Sequence, residues 1–258
     1  MTENDILKAH IRDLDRAAYQ KDILRATGFL SLSELAVFNT IKHELNGKHT
    51  LYGGYGDAER VRIVWVPSYL DEGLSCGELV SLIKVSPVNA KFSDDLTHRD
   101  FLGALMNLSI ERSKIGDILV QDNVAYIFAD SDIAGLITDE LTSVKHTSVS
   151  CELFTSDGEA GSLEQIIPPR KFKELKVNTA SERLDAILAA VWKLSRSDAA
   201  EFIKRELVFI DGVTASSVSG RLKEGSRISV RGKGKFIYDG IENETKRGRL
   251  YVKVSLFQ

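Results

Sequence analysis

The sequence predicts an α+β protein built from three folded units. Segments with helical apolar spacing alternate with segments in which every second residue is apolar, and the central third has a recognisable order of elements. The 258 residues exceed one typical domain of about 150 residues. A hydrophobic content of 43% with 28% charged residues is typical of globular proteins, so disordered chains are excluded.

Residues 1–76 are predicted to form an N-terminal α+β unit. A helical apolar stripe runs from Asp5 to Glu44 with a break at Gly28, and Ser33 is the predicted N-cap of its second part. A strand follows over residues 60–66. The preceding loop, Gly53-Gly54-Tyr55-Gly56, lacks the GxGxxG spacing of a dinucleotide site, which predicts a turn.

Residues 77–155 have the order β-α-β-β-α-β, which predicts a ferredoxin-like plait of the kind found in RRM domains. The predicted elements are strands over 79–88, 115–120, 124–129 and 143–153, and helices over 97–108 and 133–141.

Alternation along the third strand of this plait places Val124, Tyr126 and Phe128 on the sheet face opposite the helices. RRM domains carry base-stacking aromatics there. However, residues 79–155 contain 6 basic and 11 acidic residues, a net charge of −5, and lack the basic residue and glycine of the RNP1 pattern. We therefore expect Tyr126 and Phe128 to pack against a neighbouring domain or protein.

A linker is predicted over residues 156–169, which contain glycines, the pair Pro168-Pro169 and no basic residue. Residues 170–258 then form the last unit. It opens with a helix whose apolar stripe includes Leu184 and Val191, followed by a helix with Ser195 as N-cap. Short strands complete it, with a hairpin turn at Asp211-Gly212.

The charge of the chain is strongly segregated. The net charge of −3 conceals −11 in residues 1–169, from 15 basic and 26 acidic residues, and +8 in residues 170–258, from 19 and 11. Such asymmetry is typical of a polyanion-binding unit attached to acidic domains.

The cations of the last unit are the predicted RNA site. On the helix that begins at Arg196, Ala199, Ile203 and Leu207 share one face, and the opposite face carries cations. On one helix such cations usually form only a solvated face, but here they extend over five elements. The predicted RNA-binding residues are Arg183, Arg196, Ser197, Lys204, Arg205, Arg231, Lys233 and Lys235. His98 and Arg99 are a possible secondary contact.

Four pieces of the last unit carry a resemblance to a known domain: Arg183-Leu184-Asp185, Ser195-Arg196-Ser197, the run over 208–212, and Gly225-Ser226-Arg227-Ile228. They resemble the alpha-L RNA-binding domain, named for small-subunit ribosomal protein four. The sequence departs from that domain at Glu206-Leu207, where glycine is common, and at Asp211, where asparagine is common.

The wider chain resembles the YlmH family of bacterial RNA-binding proteins. The matching pieces are Gly53-Gly54 with Ala58-Glu59-Arg60, the run over 96–105, and Ile115-Gly116-Asp117-Ile118. This resemblance implies a ribosome-associated protein that binds large-subunit rRNA and tRNA in the quality control of stalled peptidyl-tRNA complexes.

Alternatives to a non-enzymatic RNA-binding protein remain open. One is an RNA-modifying enzyme of the pseudouridine-synthase type that uses the same domain for targeting, and another is a protein adaptor. His98-Arg99-Asp100 resembles the kinase catalytic triplet, but no glycine-rich phosphate loop, suitably spaced Asn or DFG accompanies it, which argues against a kinase.

We expect no cofactor and no metal, because Cys76 and Cys151 lack metal-ligand spacing. The acidic N-terminal residues and the lack of a long apolar run predict a cytoplasmic protein without a membrane segment. We further expect a monomer, with a possible protein partner on the acidic units.

Overall fold

The structure is a computed structural model that describes residues 2–70, 76–155, 162–169, 172–245 and 248–257. The chain divides into two compact units, Met1–Pro168 and Pro169–Gln258. Each unit combines helices with antiparallel sheet, which confirms the predicted α+β class. The predicted subdivision of the first unit at residues 76 and 77 stays a prediction.

The N-terminal part of the first unit packs two helices on a small three-stranded sheet. Its elements are α1 (Glu3–Lys21), β1 (Arg25–Ala26), α2 (Leu32–Ile41), β2 (His49–Tyr52) and β3 (Arg62–Trp65), and the strand order is β1-β3-β2. The prediction that Ser33 is the N-cap of α2 is wrong. Ser31 caps α2, because its hydroxyl accepts from the backbone N–H of Glu34 and the Glu34 carboxylate accepts from Ser31.

The central part has the predicted order of elements. Its strands β4 (Val80–Pro87), β5 (Ile115–Gln121), β6 (Val124–Asp130) and β8 (Thr147–Phe154) form an antiparallel sheet of order β5-β6-β4-β8, with helices α3 (His98–Asn107) and α4 (Ser131–Glu140) packed on one face. This is the ferredoxin-like arrangement. The predicted continuous strand over 143–153 is wrong: Ser143–Val144 forms β7, and Lys145, with a φ of 52°, begins a turn into β8.

The second face of the plait sheet is covered within the same unit. Phe128 is fully buried, and its ring stacks on that of Tyr55 with centroids 4.8 Å apart. Gly54 has a φ of 95°, and a Cβ there would collide with the Phe128 ring, so glycine permits this close approach. Tyr126 joins the same apolar cluster. The expectation that these aromatics pack rather than remain open is confirmed.

A buried carboxylate fixes the loop that carries Tyr55. Asp117 on β5 accepts from the Tyr55 hydroxyl at 2.6 Å and from the backbone N–H groups of Glu59 at 2.7 Å and Arg60 at 3.0 Å. The Arg60 guanidinium in turn donates to the carbonyl oxygen of Phe29 at 2.7 Å. Burial is the largest influence on Arg60 and lowers its pKa. These bonds join the N-terminal part to the plait.

Part of the segment predicted as a linker is folded onto the plait. Ser162–Gln165 forms a 3₁₀ turn, and Leu163 is buried against the sheet face that includes Phe128. Ile166 and Ile167 pack beside it. Residues 156–161 of the predicted linker lie outside the described residues. The apolar side chains in this segment explain why it packs, because an exposed sheet face offers them a surface to bury against.

The second unit is a sheet with two helices on one face. Its elements are β9 (Phe172–Thr179), α5 (Leu184–Trp192), α6 (Arg196–Lys204), β10 (Val208–Ile210), β11 (Val213–Thr214), β12 (Arg227–Val230), β13 (Gly234–Glu244) and β14 (Leu250–Phe257), and the strand order is β11-β10-β12-β13-β14-β9. The stripe from Leu184 to Val191 is buried as predicted. β9 was not predicted, because charged residues interrupt its apolar alternation.

The covered sheet face makes a prediction about stability. Phe128→Ala should lower the free energy of unfolding by about 3–5 kcal/mol, because it removes a fully buried ring and leaves a cavity. Phe92→Ala is the matched control, because Phe92 is 82% exposed, and its effect should stay within about 0.5 kcal/mol. Urea unfolding of the full chain measures both. Equal effects of the two substitutions would contradict the packing described.

Candidate nucleic-acid interface

Helix α6 organises the predicted RNA site of the second unit. Ala199 and Ile203 are buried on one side of the helix. Lys204 and Arg205 are exposed on the other, so the faces separate as predicted. Ser195 accepts a hydrogen bond from the backbone N–H of Asp198 at 3.0 Å and fixes the first turn of the helix. The Ser197 hydroxyl lies 2.7 Å from that of Ser195.

Two predicted residues, Arg183 and Arg196, are held together by one buried carboxylate. Asp185, only 5% exposed, accepts from Arg183 Nε at 3.1 Å and from Arg196 at 2.8 Å. The two arginine side chains remain 46% and 52% exposed. They are therefore fixed in place while donor groups stay accessible to a ligand.

The ionisation of Asp185 depends on these arginines. Burial, the largest influence, raises its pKa, but hydrogen bonds from Arg183 and Arg196 and the charge of both lower it by more. The net result is a pKa below the ordinary value. One negative charge thus stands between two positive ones, and this part of the surface stays cationic.

A second group of predicted residues lies at the C-terminal end of α6. The backbone N–H of Arg231 donates to the carbonyl of Leu207 at 2.9 Å, which places the β12–β13 turn beside the segment that follows the helix. The Lys233 ammonium lies 5.9 Å from the centroid of the Phe202 ring on α6. Lys204 and Arg205 end the helix here, and Lys235 follows in β13.

Six of the eight predicted residues lie at the two ends of one helix, with Arg183, Arg196 and Ser197 at its N-terminal end and Lys204, Arg205 and Lys233 at its C-terminal end. The side chains of Arg231 and Lys235 lie on the other face of the sheet, where the Arg231 guanidinium is placed over the Phe209 ring. Lys204 lies eight positions after Arg196, which at a helical rise of about 1.5 Å per residue is a distance of about 12 Å along the axis. Asp185 was not among the predicted site residues, although it belongs to the piece Arg183-Leu184-Asp185. In the fold its carboxylate positions Arg183 and Arg196.

Two cations elsewhere in the second unit are paired with carboxylates on other strands. Lys253 on β14 lies 2.9 Å from Glu174 on β9, and Lys176 on β9 forms an ion pair with Glu242 on β13. In the described part of this unit, Lys204 and Arg205 have no such acidic partner. Lys204 and Arg205 are therefore available to an external anion.

The two departures from the alpha-L pattern occupy left-handed backbone. Glu206 has a φ of 56° and Asp211 a φ of 48°. Glycine and asparagine are the residues that adopt this conformation most readily. Asp211 is also stabilised locally, because its carboxylate accepts from the backbone N–H of Arg227 at 2.8 Å. Glu206 and Asp211 therefore adopt a conformation in which glycine or asparagine would be less strained.

The secondary residues, His98 and Arg99, belong to the first unit. Both are exposed at the start of α3, where the Asp100 carboxylate accepts from the Thr97 backbone N–H at 2.8 Å. Arg99 lines an open groove of about 430 Å³ between α3 and the segment that runs from the end of α4 to Lys145. Lys145, which the sequence did not single out, lines the same groove and lies 2.9 Å from Asp100.

Other kinds of site are not found in the described ranges. No group of three or more histidine, cysteine or carboxylate side chains could hold a metal ion among these residues. Both cysteines are free thiols. No described helix combines the length and apolar character that crossing a membrane requires.

The buried carboxylate makes a prediction about pH. Asp185→Asn should lower the free energy of unfolding at pH 7 by about 1–3 kcal/mol, because Arg183 and Arg196 lose their anionic partner. The pKa of Asp185 is lowered in the folded state, so its contribution is present above the ordinary carboxyl pKa of about 4 and is lost as the pH falls below it.

Urea unfolding at pH 7 and at a pH below the ordinary carboxyl pKa of about 4 checks this prediction. The difference between parent and Asp185→Asn should shrink in acid, whereas Glu201→Gln, an exposed change on α6, should behave like the parent at each pH. A difference that persists unchanged at low pH would refute the role assigned to the carboxylate.

Comparison with known proteins adds three findings. Residues 80–157 match the family model described as "Putative RNA-binding domain in YlmH". The chain is similar to the ribosome-associated protein quality control protein P2 of Bacillus subtilis (strain 168). The two sequences are 27% identical over 230 residues, which cover 88% of this chain and 84% of that protein.

A solved structure is also similar, that of the cell division protein ylmH from Streptococcus pneumoniae. The match has a TM-score of 0.50 and 24% identity, and it covers 65% of this chain and 96% of that one. At this identity the match shows a shared fold. The three findings together confirm the resemblance of the chain to the YlmH family.

Proposed function

We propose that this is a non-enzymatic RNA-binding protein that acts on the ribosome and contacts rRNA and tRNA of the large subunit through its basic second unit. The observation that carries this proposal is the group of exposed cations at the two ends of α6, in a unit of net charge +8. We further propose a role in the quality control of stalled peptidyl-tRNA complexes. Its support is the similarity to the Bacillus subtilis protein, whose name describes ribosome-associated protein quality control.

The chemistry of these side chains suits a phosphate backbone. Arginine offers a planar fork of donors that can bind two phosphate oxygens, and lysine offers a mobile point charge. Arg196 is already oriented by Asp185 at 2.8 Å, so little side-chain entropy is lost when it binds. Lys204 and Arg205 require no internal ion pair to be broken, which favours binding to an external anion.

The plait is proposed as a second contact. Its matching family model is described as an RNA-binding domain, yet the sheet face that RRM domains use is occupied by Tyr55 and Leu163. An RNA contact of the plait must therefore use another surface. The groove beside Arg99 and Lys145 is the candidate, with His98 next to it.

The rival functions differ in what they require. The names of the similar proteins describe quality control and cell division rather than a catalysed reaction, which favours a binding protein over an RNA-modifying enzyme. Base-modification assays on rRNA and tRNA distinguish the two, since turnover would support the enzyme. We also propose a cytoplasmic monomer that could offer its acidic first unit to a protein partner.

Neutralising α6 tests the proposed function. Lys204→Gln combined with Arg205→Gln should weaken RNA binding and reduce the slope of log K against log salt concentration by about 2, because two phosphate contacts are lost. Filter binding with purified rRNA and co-sedimentation with large subunits, at several salt concentrations, measure this.

The matched control is Lys176→Gln combined with Lys253→Gln. It removes the same charge from the same unit, but at cations already paired with Glu242 and Glu174. The control should keep most of the affinity. If both double variants lose affinity equally, only total charge matters and the assigned site is wrong.

The second contact has its own test. Arg99→Gln should weaken co-sedimentation with large subunits by less than the α6 double variant and lower the salt slope by about 1. Lys91→Gln, an exposed cation on the same domain but outside the groove lining, is the control. Parent-like behaviour of Arg99→Gln would remove this surface from the proposal.

A further inference from the structure

We infer that the outer face of the β10–β12–β13 sheet, the face opposite α5 and α6, binds an unpaired RNA base by stacking it on Phe209. This inference rests on the proposed RNA-binding function of the second unit. It adds a site to the phosphate contacts at α6, and it specifies single-stranded or locally unpaired RNA as the ligand.

The orientation of Phe209 follows from strand alternation. Val208 is fully buried in the core beneath the helices, and Ile210 packs against the same core. Because successive side chains of a strand point to opposite faces, Phe209 points away from that core. It is half-buried, and it is absent from the apolar cluster of the unit. A large aromatic ring therefore lies on the solvent side of the sheet.

The neighbours of Phe209 on this face are small polar side chains and one arginine. Its cross-strand partners are Thr214 on β11 and Ser229 on β12, both small and polar. The Arg231 guanidinium lies over the ring, with its carbon 5.0 Å from the ring centroid. A ring flanked by small side chains and one planar cation resembles the stacking platforms that bind single-stranded nucleic acid.

The charges on this face complement RNA. Arg227 and Ser229 share the outer side of β12, because the neighbouring Ile228 and Val230 are buried. Lys235 on β13 is the cross-strand partner of Ser229, and Arg231 follows directly after β12. Two carboxylates near this face in sequence are already used within the fold. Asp211 accepts from the Arg227 backbone N–H at 2.8 Å, and Asp239 accepts from the Ser255 hydroxyl at 2.8 Å.

This composition favours an unpaired base over a duplex or an acidic peptide. In a duplex the faces of the bases are stacked on one another and unavailable to a protein ring. An acidic peptide would require cations but no exposed aromatic ring. The combination of a ring with flanking cations is the chemistry that recognises a base together with its phosphates.

The test compares two RNA probes on the full chain. One probe is an adenosine oligonucleotide of about 12 nucleotides, and the other is a mixed-sequence RNA duplex of about 12 base pairs. Phe209→Leu keeps an apolar side chain but removes the π-face, so its affinity for the single strand should fall about 10-fold while its affinity for the duplex stays unchanged.

Phe209→Trp is the complementary variant. It should keep single-strand affinity, and its additional fluorescence, measured against the parent, should be quenched by the oligonucleotide and not by the duplex. Because Phe209 lies outside the core, both variants should show the thermal unfolding of the parent.

The outcomes separate this inference from the proposed function. If Lys204→Gln with Arg205→Gln weakens binding of both probes while Phe209→Leu weakens neither, the stacking site is wrong and the proposed function stands. If that double variant changes nothing, the proposed function fails at its own site. A Phe209→Leu protein that loses both probes equally, or a polyglutamate that competes with the oligonucleotide as well as RNA does, would also overturn the stacking site.

Discussion

A β-sheet with helices on one face still has a second face, and what covers that face determines what the sheet can bind. In the first unit, the loop carrying Tyr55 and the segment around Leu163 bury the second face of the plait. In the second unit, α5 and α6 cover one face, and the side chains on the other face of β10 and β12 are mostly polar or basic. The plait sheet is therefore an internal surface, whereas the second sheet keeps an external one.

This constraint explains both the success and the limit of sequence reasoning on the plait. Alternation along β6 correctly assigned Ile127 to the helical side and Phe128 to the opposite side. Alternation is a local property, so it could not identify the ring that stacks on Phe128. That ring, Tyr55, lies 73 positions earlier, and Asp117 holds it in place from a third segment.

The charge pattern likewise identified the basic segment of the chain but not which of its side chains are unpaired. Counting by segment located the basic unit, because the acidic excess of residues 1–169 and the basic excess of residues 170–258 cancel in the total. Counting could not distinguish Lys253, which pairs with Glu174 across two strands, from Lys204, which ends a helix on the surface. Pairing depends on strand register, and the sequence did not even predict β9, the strand that supplies Glu174.

Asp185 shows why an acid can belong to a phosphate-binding surface. An exposed arginine samples many rotamers, and fixing it on a ligand costs about 1–2 kcal/mol of conformational free energy. Asp185 bears part of that cost during folding, because it holds Arg183 and Arg196 before any ligand arrives. Being buried, it offers little negative surface to an approaching phosphate, and the pair of arginines exceeds its charge by one. The same carboxylate on the surface would repel RNA, so its effect on binding depends on its depth in the fold more than on its position in the sequence.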